Sequence, residues 1–234
     1  MTRSYDLVVI GAGPAGESAA ELAAFLGHSV VIVEKNKPGG VVTTTGGAPT
    51  KTLRESMLAL TGFYNREVYG ITVSAPPQLV VEKITERTIR VAELLQDVSA
   101  QYIARNGVEY IHGTAKVGSD RKVLVTSPGG EHYELSAKNI LVATGSRPFH
   151  PDNIPFDDPN VWDSDEFFSP GRQLPKSIFI AGGGPVGVEF ATVFAGLGVP
   201  TTIADGADRL IHTMDAEMGT WECITSGLGY HMSY

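Results

Sequence analysis

A single cysteine, Cys223, stands in a chain of 234 residues. An intrachain disulfide framework is therefore excluded, and a cysteine zinc site is not expected. No apolar run approaches the roughly 18 residues of a membrane-spanning helix. Positive charge is scarce: Lys plus Arg is 18 against 26 for Asp plus Glu, a net charge of −8. Nucleic-acid binders carry a basic footprint, so binding to a phosphate backbone is not expected as the main task. Glycine and proline, 27 and 14 residues, make up about 18% of the chain, below the roughly 25–30% typical of disordered segments. Thr2-Arg3-Ser4-Tyr5-Asp6 lacks the pattern of a signal peptide,. A cytoplasmic protein without a membrane partner is expected. At roughly 150 residues per domain the length suits one large or two small domains. Such a chain buries about 70% of the surface exposed on unfolding, enough to hold a core unaided.

What is present is an internal repeat. Residues 5–34 align without a gap to residues 176–205, at a constant offset of 171. Gly11, Gly13, Pro14, Gly16, Leu26 and Gly27 fall on Gly182, Gly184, Pro185, Gly187, Leu197 and Gly198, and Glu34 falls on Asp205. Solenoids repeat every 20–50 residues or so, so this is one unit duplicated within a larger architecture. Each copy reads as strand, tight turn, helix, strand. Leu7-Val8-Val9-Ile10 is continuously apolar, as a parallel strand buried on both faces requires,. Ala15–Leu26 is rich in helix formers and stops at Gly27, a favourable residue past a helix end,. Val30–Val33 is the second strand of the first copy, and Ile178-Phe179-Ile180 opens the second.

Between the copies, Pro49–Leu60 reads as a short helix. Val81, Ile84, Val91, Leu95, Val98 and Tyr102 follow three/four spacing, with Thr88 as the exception, and predict a long amphipathic helix ending at Asn106-Gly107,. Strand-like runs follow near Val108–Val117, Lys122–Thr126 and His132–Leu135, the last two joined by a Ser127-Pro128-Gly129-Gly130 turn,. Ile140–Ala143 reads as another buried strand, and Phe149–Pro175, rich in Pro and Asp, as a connecting segment. Tyr230 begins a further strand-like run.

The spacing Gly11-x-Gly13-x-x-Gly16 between a strand and a helix has a physical purpose. The first glycine makes the turn, the second lets a pyrophosphate approach the backbone, and the third lets helix and strand pack closely. The helix start adds free N–H groups and about half a positive charge. Glu34, at the end of the second strand, is placed to accept from ribose hydroxyls. In the second copy, Gly182-x-Gly184-x-x-Gly187 leads to Asp205, and an acidic group there favours a free 2′-hydroxyl over a 2′-phosphate. NAD(H) is therefore preferred over NADP(H). Arg209, four residues on, works against that preference unless it is a solvated surface residue.

GAGPAG with Glu34, PGG…APTK at 38–51, HGTAKV at 112–117, ATGSRP at 143–148 and GGGPVGVEFA at 182–191 occur in order along nearly the whole chain. In these motifs the chain resembles the pyridine nucleotide–disulfide oxidoreductases, within them the soluble transhydrogenase and dihydrolipoamide-dehydrogenase-like branch. The resemblance implies FAD in the first site and NAD(H) or NADP(H) in the second. It implies a Rossmann-like, doubly wound α/β fold with a three-stranded β-meander, followed by a partial second unit of the same kind. The FAD-binding domain would span 1–148, a connecting segment 149–175 and the nicotinamide part 176–234. Gly11, Gly13, Pro14, Ala15, Gly16 and Glu34 with Lys35 would hold the ADP half of FAD. Gly40, Val41, Thr43 and Gly46 would line its passage toward the flavin. Thr114 and Ala115 would meet the adenine through the backbone, and Ala143, Thr144, Gly145 and Ser146 would lie against the cofactor. Gly182, Gly184, Pro185, Val186, Gly187 and Asp205 would hold the nicotinamide dinucleotide. Lys51 would sit near the reactive edge of the flavin, paired with Glu189, and these two are the candidate catalytic residues.

The chain departs from the family pattern in two respects. The redox cysteine positions between the double glycine and APTK are held by Val42 and Gly47. Without thiolates the usual dithiol relay cannot run. Direct hydride traffic remains, from a reduced nicotinamide to flavin and on to another nicotinamide, a quinone or oxygen. Thr43, Thr44 and Thr45 either bond the cofactor or form a strand-like stretch without a ligand. The chain is also about half the family's length and matches its N-terminal part. A transhydrogenase-like FAD oxidoreductase, homodimeric in its full-length form, is expected. The alternatives are a non-catalytic dinucleotide-binding module and an NAD(P)H:quinone or oxygen reductase.

Overall fold

In the computed structural model, residues 3–60, 77–168, 173–217 and 230–233 are described. Cys223 lies outside them. The chain divides into two compact units, one of residues 1–49 and 90–151, the other of residues 50–89 and 152–234.

The first unit grows from the strands of the first repeat. β1 (Arg3–Ile10) pairs in parallel with β2 (Val30–Glu34), which pairs in parallel with β3 (Glu109–His112). β4 (Thr114–Val117), β5 (Lys122–Thr126) and β6 (His132–Val142) form an antiparallel meander. The sheet order is β3-β2-β1-β6-β5-β4. The two expected strands at 132–135 and 140–143 are one strand, β6. It pairs with β5 over 132–136 and runs parallel to β1 from Leu135 to Val142. Among the described residues, no strand pairs with the β5-side edge of β6 past Ser136, and Val142 there is 61% exposed although its run reads as buried.

Period-two geometry sorts the apolar runs onto two faces. Val8, Ile10, Val31 and Val33 point to one face and pack with Val123, Val125 and Leu135 of the meander. Val9, Val30 and Ile32 point to the other, with Ala20 of helix α1 (Pro14–Phe25), Ile103 and Val108. Each fully buried Val or Ile contributes about 1.5–3 kcal/mol. The unit also holds α2 (Val41–Thr44) and the start of α3 (Gly47–Leu60).

The long helix, α4 (Pro77–Arg105), buries a different stripe from the one its apolar residues suggest. Val81, Ile84, Thr88, Ala92, Gln96, Ser99 and Ile103 are buried, whereas Val98 and Tyr102 are about half exposed. Thr88 is no exception: it is 1% exposed and returns its hydroxyl to the Ile84 carbonyl at 2.8 Å. The stripe is mixed because polar side chains, Gln96 and Ser99, occupy part of the buried face.

The second unit repeats the plan with less of the sheet. β7 (Ile178–Ala181), β8 (Thr201–Ala204) and β9 (Tyr230–Ser233) pair in parallel in that order. Helix α5 (Pro185–Gly196) buries Val188, Phe190, Ala191, Val193 and Phe194. Its core also takes Leu53 and Met57 of α3, Ile84 of α4 and Phe167, whose ring meets Phe194 edge-on at 5.2 Å. Met57 packs over Gly196: a Cβ there would lie 2.3 Å from the Met57 sulfur.

Candidate functional site

The two glycine turns have the same geometry. Gly11 has φ +106° and Gly182 φ +114°, a conformation that side-chain-bearing residues rarely adopt,. Each donates its N–H to the carbonyl at the neighbouring strand's end, Val33 at 2.8 Å and Ala204 at 2.7 Å. The third glycines close the packing: a Cβ on Gly16 or Gly187 would lie 2.0 Å from the carbonyl oxygen of Gly11 or Gly182. The middle glycines, Gly13 and Gly184, cap α1 and α5 in extended conformation, with no side chain bonded to the helix start. A helix start left without a side-chain cap is the kind of place that takes an anionic group,.

The carboxylates that end the second strands are held in matching ways. Glu34 accepts from the N–H of Ala12 at 2.8 Å and of Asn36 at 2.7 Å. Asp205 accepts from Gly183 N–H and from Ala207 N–H at 2.7 Å. These donors are equivalent in the repeat. Each carboxylate is thus held at the mouth of its turn by two backbone N–H groups, with lone pairs left for hydroxyls,. The backbone N–H groups of Ala207 and Gly183 lower the pKa of Asp205 below the usual carboxylate value. Burial raises the Tyr110 phenol, and the charge of Glu34 adds to the effect. Arg209 is not simply solvated: its Nη2 donates to the His212 carbonyl at 3.0 Å, and Nη1 is buried without a partner among the described residues.

The other expected residues of the first site lie around the Gly11 turn. Ala143 N–H donates to Ile10 at 2.8 Å, so Ala143 and Thr144 wall one side, and a Cβ on Gly11 would lie 2.2 Å from the Ala143 oxygen. Gly113 N–H donates to the Glu34 carbonyl at 2.9 Å, which sets Thr114 beside that strand end. Ala115 packs against the core. Gly145 follows with φ +70°, and Ser146 is exposed. Lys35 is exposed, and its carbonyl meets His112 Nε2 at 3.0 Å. Gly40 comes within contact of Gly13. Val41 is exposed, and Gly46 N–H closes onto the Val41 carbonyl at 2.8 Å.

The threonine segment is helix α2 and not strand. Thr43 bonds the carbonyls of Pro38 and Gly40, and Thr44 the carbonyl of Gly40. Those hydroxyls are committed to their own backbone. In the second unit, Lys51 Nζ lies 3.5 Å from Glu189 Oε1, with side chains 70% and 42% exposed. Pro185 and Val186 open α5 at the solvent-exposed side. Composition and spacing did not single out Glu17 and Ser99. The signal was available: Glu17 puts a carboxylate in the first turn of α1, next to the glycine turn, where the second copy has Val188.

A family model of the pyridine nucleotide-disulphide oxidoreductases matches residues 5–224. The chain belongs to this family. It is 37% identical over 218 residues to the soluble pyridine nucleotide transhydrogenase of Mycobacterium bovis (strain BCG / Pasteur 1173P2), over 92% of this chain and 46% of that protein. The soluble pyridine nucleotide transhydrogenase of Colwellia psychrerythraea (strain 34H / ATCC BAA-681) is 34% identical over 229 residues, 97% of this chain and 47% of its own length. The Cu(II) complex of the HOCl-induced flavoprotein disulfide reductase RclA from Escherichia coli matches with a TM-score of 0.82 at 25% identity, over 100% of this chain and 49% of that one. The chain thus spans about half the length of the relatives it matches.

Within this oxidoreductase family the Val42 and Gly47 positions gain meaning. They adjoin each other: a Cβ on Gly47 would lie 3.1 Å from Val42 Cγ1. The two positions where the family pattern has its cysteines are thus neighbours in space, and neither carries sulfur.

Proposed function

We propose that this chain handles two dinucleotides in a transhydrogenase-type, FAD-dependent oxidoreductase. Hydride passes between a nicotinamide dinucleotide and flavin, and no disulfide is reduced. The observation that carries the reading is the duplicated cradle: glycine turn, uncapped helix start and backbone-held carboxylate, once with Glu34 and once with Asp205. Both the sequence relatives named above are called soluble transhydrogenases, which supports the same assignment.

FAD, when bound, supplies the ring that accepts and returns hydride. The rest is the work of this chain's residues. The N–H groups at the start of α1 take the FAD pyrophosphate, and Gly13 leaves it room. Glu34 accepts from the adenosine ribose. Thr114 and Ala115 meet the adenine, and Ala143 to Ser146 flank the cofactor's far side. Gly40, Val41, Thr43 and Gly46 contribute backbone and shape, since the Thr43 hydroxyl is already engaged. The start of α5, with Pro185 and Val186, receives the nicotinamide dinucleotide, and Asp205 accepts from its ribose, which favours NAD(H). Lys51 presents a positive charge, held by Glu189, that favours negative charge gained on reduction. The FAD domain is assigned to 1–148, the connection to 149–175 and the nicotinamide part to 176–234. A cytoplasmic enzyme, homodimeric at full length, fits this role.

The test is anaerobic. Protein reconstituted with FAD is mixed with NADH, and the visible flavin absorbance is followed. Bleaching, faster with NADH than with NADPH, is the expected result. Bound flavin that NADH leaves oxidised contradicts the hydride-transfer reading.

A further inference from the structure

Glu17 stands in an unexpected place. It lies in the first turn of α1, where a carboxylate suits the helix start but would repel a pyrophosphate in the cradle that is read above as the FAD site,. Its carboxylate turns aside. Oε1 accepts from Gly39 N–H at 2.8 Å and from the Ser99 hydroxyl, and Ser99 is buried in the polar part of the α4 stripe. Gly39 N–H is shared, donating also to the Ala12 carbonyl at 2.7 Å. The Gly39-Gly40 loop, at φ +97° and +58°, is thereby held against the cradle. A Cβ on Gly40 would come within 2.9 Å of Gly13 Cα, so loop and cradle touch through two glycines.

The second copy solves the same problem without charge. Its loop also returns to the turn, with Ile211 N–H donating to Gly183 at 2.7 Å. At the position of Glu17 stands Val188, clustered with Leu210 and Ile211. One loop is fixed by apolar packing and the other by a carboxylate bridging a loop amide and a buried hydroxyl.

We infer that Glu17 is a positioning residue. With Ser99 it fixes the Gly39-Gly40 loop at the spacing the first cradle needs, and so sets how tightly the dinucleotide of the first unit is retained. The inference rests on the FAD reading of that cradle.

The test uses the whole chain with E17V, E17Q and S99A. Hydrogen exchange of the peptide covering residues 36–41 is measured without FAD, and the FAD dissociation constant by flavin fluorescence. A hydrogen bond to a charged group has a net effect of about tenfold to a hundredfold on an equilibrium. E17V should raise loop exchange and weaken FAD binding by that range. E17Q, which keeps an acceptor oxygen, should recover most of both, and S99A should show a smaller effect in the same direction. NADH binding should not change in any variant. Unchanged loop exchange in E17V overturns the latch. Faster exchange with unchanged FAD affinity overturns the positioning role. E17Q as weak as E17V indicates lost folding and not a lost acceptor, and also counts against it. If the native chain binds no FAD, the underlying reading fails, while the exchange data still judge the latch by themselves.

Discussion

Replacing Gly11 and Gly182 separately by alanine tests whether the two turns, alike in conformation, differ in surroundings. Both residues hold φ above +100°, and an alanine there costs about 1–3 kcal/mol in backbone strain. At Gly182 nothing among the described residues lies within 4 Å of the new Cβ. G182A should therefore cost the strain alone. At Gly11 the Cβ would lie 2.2 Å from the Ala143 oxygen, and the Ala143 amide is tied to Ile10. The carbonyl must retreat by about 1 Å, and overpacking of this kind adds about 1–3 kcal/mol. G11A should then melt about 2–12 °C below G182A. Unfolding by heat, with hydrogen exchange read separately on peptides covering each turn, gives the comparison. The β1–β6 region should lose protection in G11A, and the β7–β8 region in G182A. Equal losses in both variants, or a larger one in G182A, would refute the steric argument.

Other outcomes follow from the same geometry. K51M removes an ion pair between exposed groups worth about 0–1 kcal/mol, so the melting temperature should hardly move. Flavin reduction by NADH should slow by about a hundredfold in stopped-flow, if the charge serves electrostatic stabilisation. G40A adds a Cβ 2.9 Å from Gly13 Cα at φ +58°, and FAD affinity should fall about tenfold by fluorescence titration. The Lys138 ammonium at 2.7 Å, with the Ser29 amide and hydroxyl, lowers the pKa of Asp6 well below its ordinary value. The folded-state pKa thus lies below the unfolded value of about 3.9. The resulting stabilisation is present above roughly pH 4 and lost as the pH falls through the folded value. The stability gap between native protein and D6N, measured by urea unfolding, should shrink on acidification.

The repeat was legible because its constraints are local. A glycine at φ above +100°, a third glycine under a carbonyl and an acid at a strand end leave little freedom in residue type. Continuous apolar runs likewise announced the parallel strands on both sides of each turn. The helix face was less legible because period-3.6 reasoning weighs apolar residues, whereas α4 also buries the polar Gln96 and Ser99, the latter bonded to Glu17. Thr43 and Thr44 were open because a hydroxyl near a predicted ligand site has two outlets, and only coordinates show that it bonds its own backbone. The fusion of two short runs into β6 depended on pairing with β1, more than a hundred residues away in sequence. Glu17 shows its role only once Gly39 and Ser99 have been brought to it by the fold.

The central claim, two dinucleotide cradles in one chain, is tested most directly by counting. Calorimetric titration of the chain with FAD, then of the FAD-loaded protein with NADH, reads both sites in turn. One FAD and one NADH bound together per chain is the result expected. Competition between them for a single site, or FAD affinity indifferent to loss of the Glu34 carboxylate in E34Q, would contradict the account.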